Sequence, residues 1–223
     1  MQYRQLLEIL EYNSDVKYRE FHKQLLKNDS ISVLGVRVPA LRKIAKQFKG
    51  DIDNLLSFPD EYYEITFIKL TAVSNLKYEE FVKYADLCVS LIDNWATCDC
   101  FTPKCIEKHK REFLPYIERY LSNNGEFYQR FALTTLLHFY VEEEFLDIIF
   151  NAIKRADTEK YYYVHMAAAW LTAEVLVKYY GWGVTFLQSE SLDKKTHNKA
   201  IQKANESFRL SEEQKNFLKE IKR

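Results

Sequence analysis

The amino-acid sequence predicts an all-α protein of 223 residues. Glycine numbers only 5 and proline only 4, too few for the turns of a sandwich or barrel built from strands. Residues that favour helices, such as leucine, lysine, glutamate and alanine, occur throughout the chain. Similar segments, several of which begin with a tyrosine, also recur roughly every 35 residues, which indicates repeated helical units.

The first two helices are predicted to form a hairpin at the N-terminal end. Leu6, Leu7 and Leu10 recur at helical spacing within residues 2–11. The Asn-Ser-Asp sequence at residues 13–15 then provides a break and an N-cap. The second helix is predicted to end at about Lys27.

A third helix is predicted after a segment that contains a glycine and a proline. Gly35 permits a turn within residues 33–39, and Pro39 suits the first turn of a helix from Ala40 to Phe48. The exposed side of this helix is basic, with Arg37 at the same end. Its positive residues are Arg42, Lys43, Lys46 and Lys49. Such a run is either an ordinary solvated face or part of an anion-binding surface.

From residue 59 onward the sequence repeats. Similar segments begin at Tyr63, Tyr128 and Tyr163, the register continues at His197, and the helix that contains Trp95 fills the gap. Repeats of roughly 30 to 40 residues made of amphipathic helices are typical of an α-solenoid. We therefore expect one continuous domain over residues 1–223, an α-solenoid with a concave face.

One helix of every pair in an α-solenoid lines the concave surface. The repeat register places five candidate residues on such helices, where we expect them to converge. These residues are Trp95, Asp99, Arg130, Trp170 and Lys199. At the C-terminal end, Ser211 and Gln214 form a predicted capping box that opens a last helix.

The overall charge does not point to a particular class of partner. Lys+Arg and Asp+Glu both number 32, so any nucleic-acid surface requires local segregation of charge. No apolar run reaches the length of a membrane span, and the N-terminus lacks the apolar block of a signal peptide. We therefore expect a cytoplasmic protein without a membrane partner.

Three of the four cysteines lie close together in the sequence. Cys98, Cys100 and Cys105 lack the paired spacing of a zinc site, and His109 alone does not complete one. The other histidines show no metal or triad spacing. We expect reduced, packed thiols, with no metal and no cofactor.

The candidate functional stretch spans residues 93–101. Trp95 and Asp99 are four positions apart, so on a helix the indole and the carboxylate share one face and can meet the same ligand. Alternatively, Trp95 packs inward while Asp99 is solvated or pairs with a lysine. Trp170 is open to a similar alternative, as a core anchor beside small alanines. Arg130 lies in an apolar helix, a costly position unless it reaches a groove or a carboxylate.

Four motifs in this order resemble the AlkD-like DNA alkylation-repair glycosylases, a family built from HEAT-like repeats of antiparallel helix pairs. They are Leu34–Pro39, Trp95-x-x-x-Asp99, Gln129-Arg130 before an apolar helix, and Ala167–Trp170. The resemblance covers most of the chain. It implies that the concave face holds duplex DNA and that the enzyme excises cationic N3- and N7-alkylated purines.

The resemblance also implies roles for four residues. The catalytic carboxylate is Asp99, the aromatic walls are Trp95 and Trp170, and the family's arginine is Arg130. A cationic purine is a good leaving group, so the carboxylate has to stabilise oxocarbenium character in the sugar and orient water. Indole faces beside the sugar attract a cationic centre. The expected product is an intact abasic site, and the expected protein is a monomer.

The sequence departs from the family near the late tryptophan. Met166 and Ala173 stand where basic residues are expected. We therefore expect weak, strongly salt-dependent binding to duplex DNA that contains alkylated bases. The residues expected to contact DNA are Arg37, Lys43, Arg130, Lys199 and Lys203.

Two functions from other classes compete with the glycosylase. One is a DNA-binding HEAT-repeat protein without catalysis, and the other is a solenoid that binds protein partners. The presence of both Trp95 and Asp99 favours the enzyme.

Overall fold

A computed structural model describes residues 1–26, 28 and 30–223 of the chain. Within these residues the protein consists of fourteen α-helices and short 3₁₀ turns, without a strand. The closest approach to sheet structure there is an isolated antiparallel bridge between Ser14 and Val36. The predicted all-α class is confirmed, and the helices are compatible with an α-solenoid.

The helices have the following bounds: α1 Tyr3–Tyr12, α2 Val16–Leu26, α3 Val38–Ala45, α4 Ile52–Leu56, α5 Tyr63–Ser74, α6 Tyr78–Ser90, α7 Trp95–Cys100, α8 Lys110–Leu121, α9 Glu126–Phe139, α10 Leu146–Arg155, α11 Tyr162–Lys178, α12 Tyr180–Gln188, α13 Lys194–Asn205 and α14 Glu212–Glu220.

The predicted helix ends are close to the observed ones. Asp15 begins α2 as expected, because its Oδ1 accepts the backbone N–H of Tyr18 at 3.0 Å. The predicted end of that helix at Lys27 lies outside the described residues. The capping box of α14 is present, with the Ser211 hydroxyl and the Gln214 side chain each accepting a backbone N–H.

The third helix differs from its prediction at both ends. It starts at Val38 rather than Ala40, because Pro39 is accommodated inside the first turn, where its missing N–H costs nothing. The α-helix ends at Ala45, and the chain tightens into a 3₁₀ turn over Lys46–Phe48. Gly50, with φ of +85°, then reverses the chain.

The helices α5, α7, α9, α11 and α13 stand first in successive sequence repeats and are called first helices here. First helices begin at Tyr63, Trp95, Glu126, Tyr162 and Lys194, so the spacing of about 31 to 36 residues matches the repeat read from the sequence. Trp95 and Asp99 lie on α7, Arg130 on α9, Trp170 on α11 and Lys199 on α13. All five positions are therefore on first helices, as the register predicts.

The chain divides into two compact units, Met1–Lys108 and His109–Arg223, called here the N-terminal and the C-terminal unit. In the N-terminal unit, α3, α4, α6 and α7 all pack against α5. In the C-terminal unit, α9 packs on α8 and α11, and α11 packs on α12 and α13. Whether residues 1–223 behave as a single domain stays a prediction.

The core of each unit centres on one enclosed helix. In α5 the buried residues include Ile65, Phe67 and Ile68, and the ammonium group of Lys69 is buried with them. Lys69 Nζ donates to the Phe58 carbonyl at 2.6 Å and to Asp60 Oδ2 at 2.9 Å, which offsets the cost of burying the charge.

In the C-terminal unit the enclosed helix is α11. Residues 167–169 are three buried alanines, whose small side chains let α9 and α13 approach closely. No helix among the described residues has the length and apolar character needed to cross a membrane.

Candidate functional site

The six-residue helix α7 carries the candidate Trp95 and Asp99 side chains. Asn94 caps it, because its Oδ1 accepts the backbone N–H of Thr97 at 2.9 Å. Trp95 is the first residue of the helix and Asp99 follows one turn later, so both project from the same face. Both side chains are half-buried. The helical spacing assumed from the sequence is therefore present.

The indole of Trp95 is held by helix α2. Its Nε1 donates to the backbone carbonyl of Leu25 at 3.3 Å, in the last turn of α2. This carbonyl is among those that an α-helix leaves without an internal partner at its C-terminal end. Trp95 is thus oriented at one edge by a hydrogen bond, while the partial exposure of the residue leaves some of its surface open to solvent.

An aromatic cluster on α2 and α5 lies close to this helix in the same unit. The ring of His22 lies 5.5 Å from Tyr18 and 4.5 Å from Tyr63, measured between ring centroids. Burial lowers the pKa of His22 and raises the pKa values of Tyr18 and Tyr63. The cluster is therefore uncharged near neutral pH.

The four cysteines are free thiols. Cys100 is half-buried beside Asp99, and burial raises its pKa while the charge of Arg42 partly opposes that shift. Burial likewise raises the pKa of Cys105 to about 11. Both thiols therefore stay protonated at neutral pH. Among the described residues, no group of three or more His, Cys, Asp or Glu side chains is arranged to hold a metal ion.

The predicted DNA-contacting residues of the N-terminal unit lie on α3, with Arg37 at its N-cap and Lys43 in its last turn. Arg37 is exposed, and its Nη2 donates to Asp15 Oδ2 at 2.9 Å while the guanidinium lies 4.8 Å from the Tyr18 ring centroid. Hydrogen bonds from the Tyr18 backbone and from Arg37 lower the pKa of Asp15. Lys43 is exposed on α3, as are Arg42 and Lys46.

In the C-terminal unit, Arg130 and Trp170 lie on adjacent helices. Arg130 on α9 is only 5% exposed, and its Nη1 donates to the Tyr163 carbonyl at 2.8 Å. Its guanidinium also lies 5.7 Å from the Tyr163 ring centroid. Trp170 on α11 is half-buried and meets His138 edge to face, with ring centroids 6.0 Å apart. The partial exposure of Trp170 differs from that of a fully enclosed core anchor.

Helix α13 carries the two lysines that the sequence assigned to DNA contacts. Lys199 Nζ donates to Gln202 Oε1 at 3.1 Å, and Lys203 Nζ lies 3.3 Å from Glu206 Oε2. Where basic residues were expected on α11, Met166 is half-buried and Ala173 is 4% exposed. A lysine or arginine at residue 173 would therefore have to replace a buried methyl group.

Three residues that were not predicted from the sequence support the candidate site from α2 and α5. These are Tyr18, His22 and Glu64. The sequence does give a sign for Glu64, because an ionisable residue in the first turn of a mostly apolar helix needs a specific partner when it is buried. For Tyr18 and His22, helical spacing alone gives no sign of their neighbours.

The chain is similar to a known protein family over most of both units. A family model described as "DNA alkylation repair enzyme" matches residues 5–208 of the chain. The matched region contains every predicted site residue. No individually curated protein matches the sequence.

Proposed function

Because the chain belongs to the DNA alkylation repair enzyme family, we propose that it is a monofunctional DNA glycosylase for cationic alkylated purines. In this proposal the protein binds duplex DNA and hydrolyses the N-glycosidic bond of an N3- or N7-alkylated base. The product is an intact abasic site. The observation that carries the proposal is the half-buried Trp95 and Asp99 pair on one face of the capped helix α7.

The proposed reaction needs no strong general acid. An N3- or N7-alkylated purine already bears a positive charge, so its bond to the sugar is weakened before any proton is transferred. The developing charge on the deoxyribose needs stabilisation, and a nearby ionised carboxylate provides it. Asp99 takes this role in the proposal, and it also orients the attacking water.

The aromatic residues complete the proposed chemistry. A tryptophan face attracts a cationic centre, and the hydrogen bond to Leu25 fixes one edge of the Trp95 indole. Trp170 and Arg130 are assigned to the same reaction by the family resemblance, and the proposal retains them. Arg37, Lys43, Lys199 and Lys203 are proposed to neutralise DNA phosphates, together with Arg130.

The decisive experiment is excision from a duplex that contains one N7-methylguanine. Asp99→Asn preserves the shape of the side chain but removes its charge, so duplex binding should persist while excision falls about 10²- to 10³-fold. Glu79→Gln, a charge removal at an exposed residue of α6 in the same unit, serves as the control and should excise normally. A duplex containing uracil, a neutral base, should be processed poorly or not at all.

The same assay separates the proposed function from its alternatives. Duplex binding without excision by the wild type would identify a non-catalytic DNA-binding protein. Full activity in Asp99→Asn would show that this carboxylate takes no part in the reaction. Strand cleavage without added alkali would contradict a mechanism that ends at an intact abasic site.

A further inference from the structure

Glu64 forms an unusual contact between α5 and the segment that precedes α3. Its side chain is buried, with the residue only 1% exposed, and it accepts three consecutive backbone N–H groups. Oε2 accepts from Leu34 at 3.0 Å, and Oε1 accepts from Gly35 at 2.7 Å and from Val36 at 3.2 Å. Successive backbone N–H groups that point at one anion form a nest, and here the anion is part of the protein itself.

The conformation of Gly35 makes this nest possible. Its φ of +91° lies in the region that side chains disfavour. A Cβ at this position would lie 2.5 Å from the Asp15 carbonyl oxygen and 2.6 Å from Arg19 Cβ. The Gly35 carbonyl in turn accepts the Asp15 N–H at 3.0 Å. Residues 34–36 are therefore fixed between the start of α2 and the start of α5.

Arg37 follows this fixed segment directly. Its backbone begins α3, and its guanidinium lies between the Asp15 carboxylate and the ring of Tyr18. A long arginine side chain loses conformational freedom when it binds a phosphate, and a backbone already held in place reduces the remaining loss. The three hydrogen bonds to Glu64 therefore hold the backbone immediately before Arg37.

We infer that Glu64 is the positioning residue for Arg37, holding the backbone from which this side chain reaches a DNA phosphate. The inference rests on the proposed function for the phosphate contact, while the anchoring itself rests only on the hydrogen bonds. Glu64 acts through the protein backbone and touches neither the base nor the sugar.

The test variant is Glu64→Gln. An amide keeps one oxygen acceptor, which retains the bonds to Gly35 and Val36, but its NH₂ group then faces the Leu34 N–H and cannot accept it. A matched control is Lys69→Met, which removes another buried charged group of α5. Lys69 bonds to Phe58 and Asp60 and is not bonded to residues 34–36.

Duplex affinity is measured against salt concentration for the wild type, Glu64→Gln, Arg37→Ala, the double variant and Lys69→Met. Glu64→Gln should lower the affinity as Arg37→Ala does and should reduce the slope of log affinity against log salt by about 0.9, the share of one phosphate. Arg37→Ala should have little further effect in the Glu64→Gln background. Lys69→Met should lower thermal stability and leave the salt slope unchanged. An unchanged salt slope in Glu64→Gln, with Arg37→Ala retaining its full effect there, would overturn the inference.

Amide hydrogen exchange tests the anchoring without DNA. In Glu64→Gln the Leu34 amide, which loses its acceptor, should exchange faster than in the wild type, and in Lys69→Met it should not. If the wild type has no duplex affinity, the proposed function is wrong, whereas the exchange rates still decide whether Glu64 fixes this segment. If Glu64→Gln does not fold, Glu64→Asp, which keeps the charge but shortens the reach, is compared in the same way.

Discussion

Two glycines with positive φ differ in how closely other atoms surround them, so substitutions there distinguish the stability cost of backbone strain from that of steric overlap. Gly35 and Gly50 have φ values of +91° and +85°. A Cβ on Gly50 would have no heavy atom within 4 Å, whereas one on Gly35 would overlap the Asp15 carbonyl. The same substitution should therefore have different costs at the two positions.

We expect Gly50→Ala to lower the free energy of unfolding by about 1–2 kcal/mol, from backbone strain alone. Gly35→Ala should add a further ~1–3 kcal/mol, because the neighbouring backbone must move to accept the methyl group. Urea denaturation of both variants measures the difference. If both variants lose the same free energy of unfolding, the segment before α3 moves readily to accept the methyl group, which would contradict the rigidity expected from its hydrogen bonds.

At the scale of single elements, α7 depends strongly on its N-cap. The helix has six residues, and Asn94, which caps it, is buried. Short helices gain little from their own backbone hydrogen bonds, so the cap and the packing against α5 decide their stability. Loss of the cap should therefore disturb the orientation of Trp95 and Asp99.

Asn94→Ala should lower the free energy of unfolding by about 0.5–2 kcal/mol and should also reduce excision. Asn94→Ser, which keeps a capping oxygen and places no second carboxylate beside Asp93, should restore much of both. Ser211→Ala removes the equivalent cap from α14 and controls for stability alone, so its excision rate should be unaffected. The measurements are urea denaturation and single-turnover excision. Equal excision by the two alanine variants would show that the cap of α7 is only structural.

Features that are local to one helix could be predicted from the sequence. The cap at Asp15 and the box at Ser211 follow from neighbouring residues, and the structure contains them. The position of Trp95 and Asp99 on one face of a helix is of the same kind.

Contacts that join distant positions could not be predicted from the sequence. The bonds from Glu64 reach residues 28 to 30 positions earlier, and nothing in the local pattern selects that partner. The burial of Arg130 against Tyr163 is a similar case, because helical spacing identifies a costly position without showing what compensates for it.

At the scale of the whole molecule, three buried histidines make stability dependent on pH. Burial is the main cause that lowers the pKa values of His22, His165 and His197. Each is therefore more easily protonated in the unfolded chain than in the folded protein. Their contribution to stability is fully present above the unfolded pKa of about 6.5 and is lost as pH falls toward the folded values.

We expect the free energy of unfolding to decline as pH falls from 7 to 5.5, as measured by urea denaturation at several pH values. His22→Phe should make this decline shallower, because it removes one of the three titrating groups from its position between Tyr18 and Tyr63. Tyr63→Phe removes the hydroxyl of a neighbouring ring. Because burial raises the pKa of that hydroxyl, the variant should show the same decline as the wild type. A wild-type profile that is flat over this range would contradict the assignment.

The hydrogen bond from Trp95 to Leu25 also bears on the order of folding. It joins residues 70 positions apart, whereas side-chain contacts between successive helix pairs of the C-terminal unit, such as Gln129 to Asp157 and Thr158 to Asp193, span 28 and 35 positions. Closing a longer loop costs more chain entropy, and contacts of high sequence separation form slowly. During refolding, we expect helix α7 to acquire its secondary structure before its indole acquires a fixed orientation.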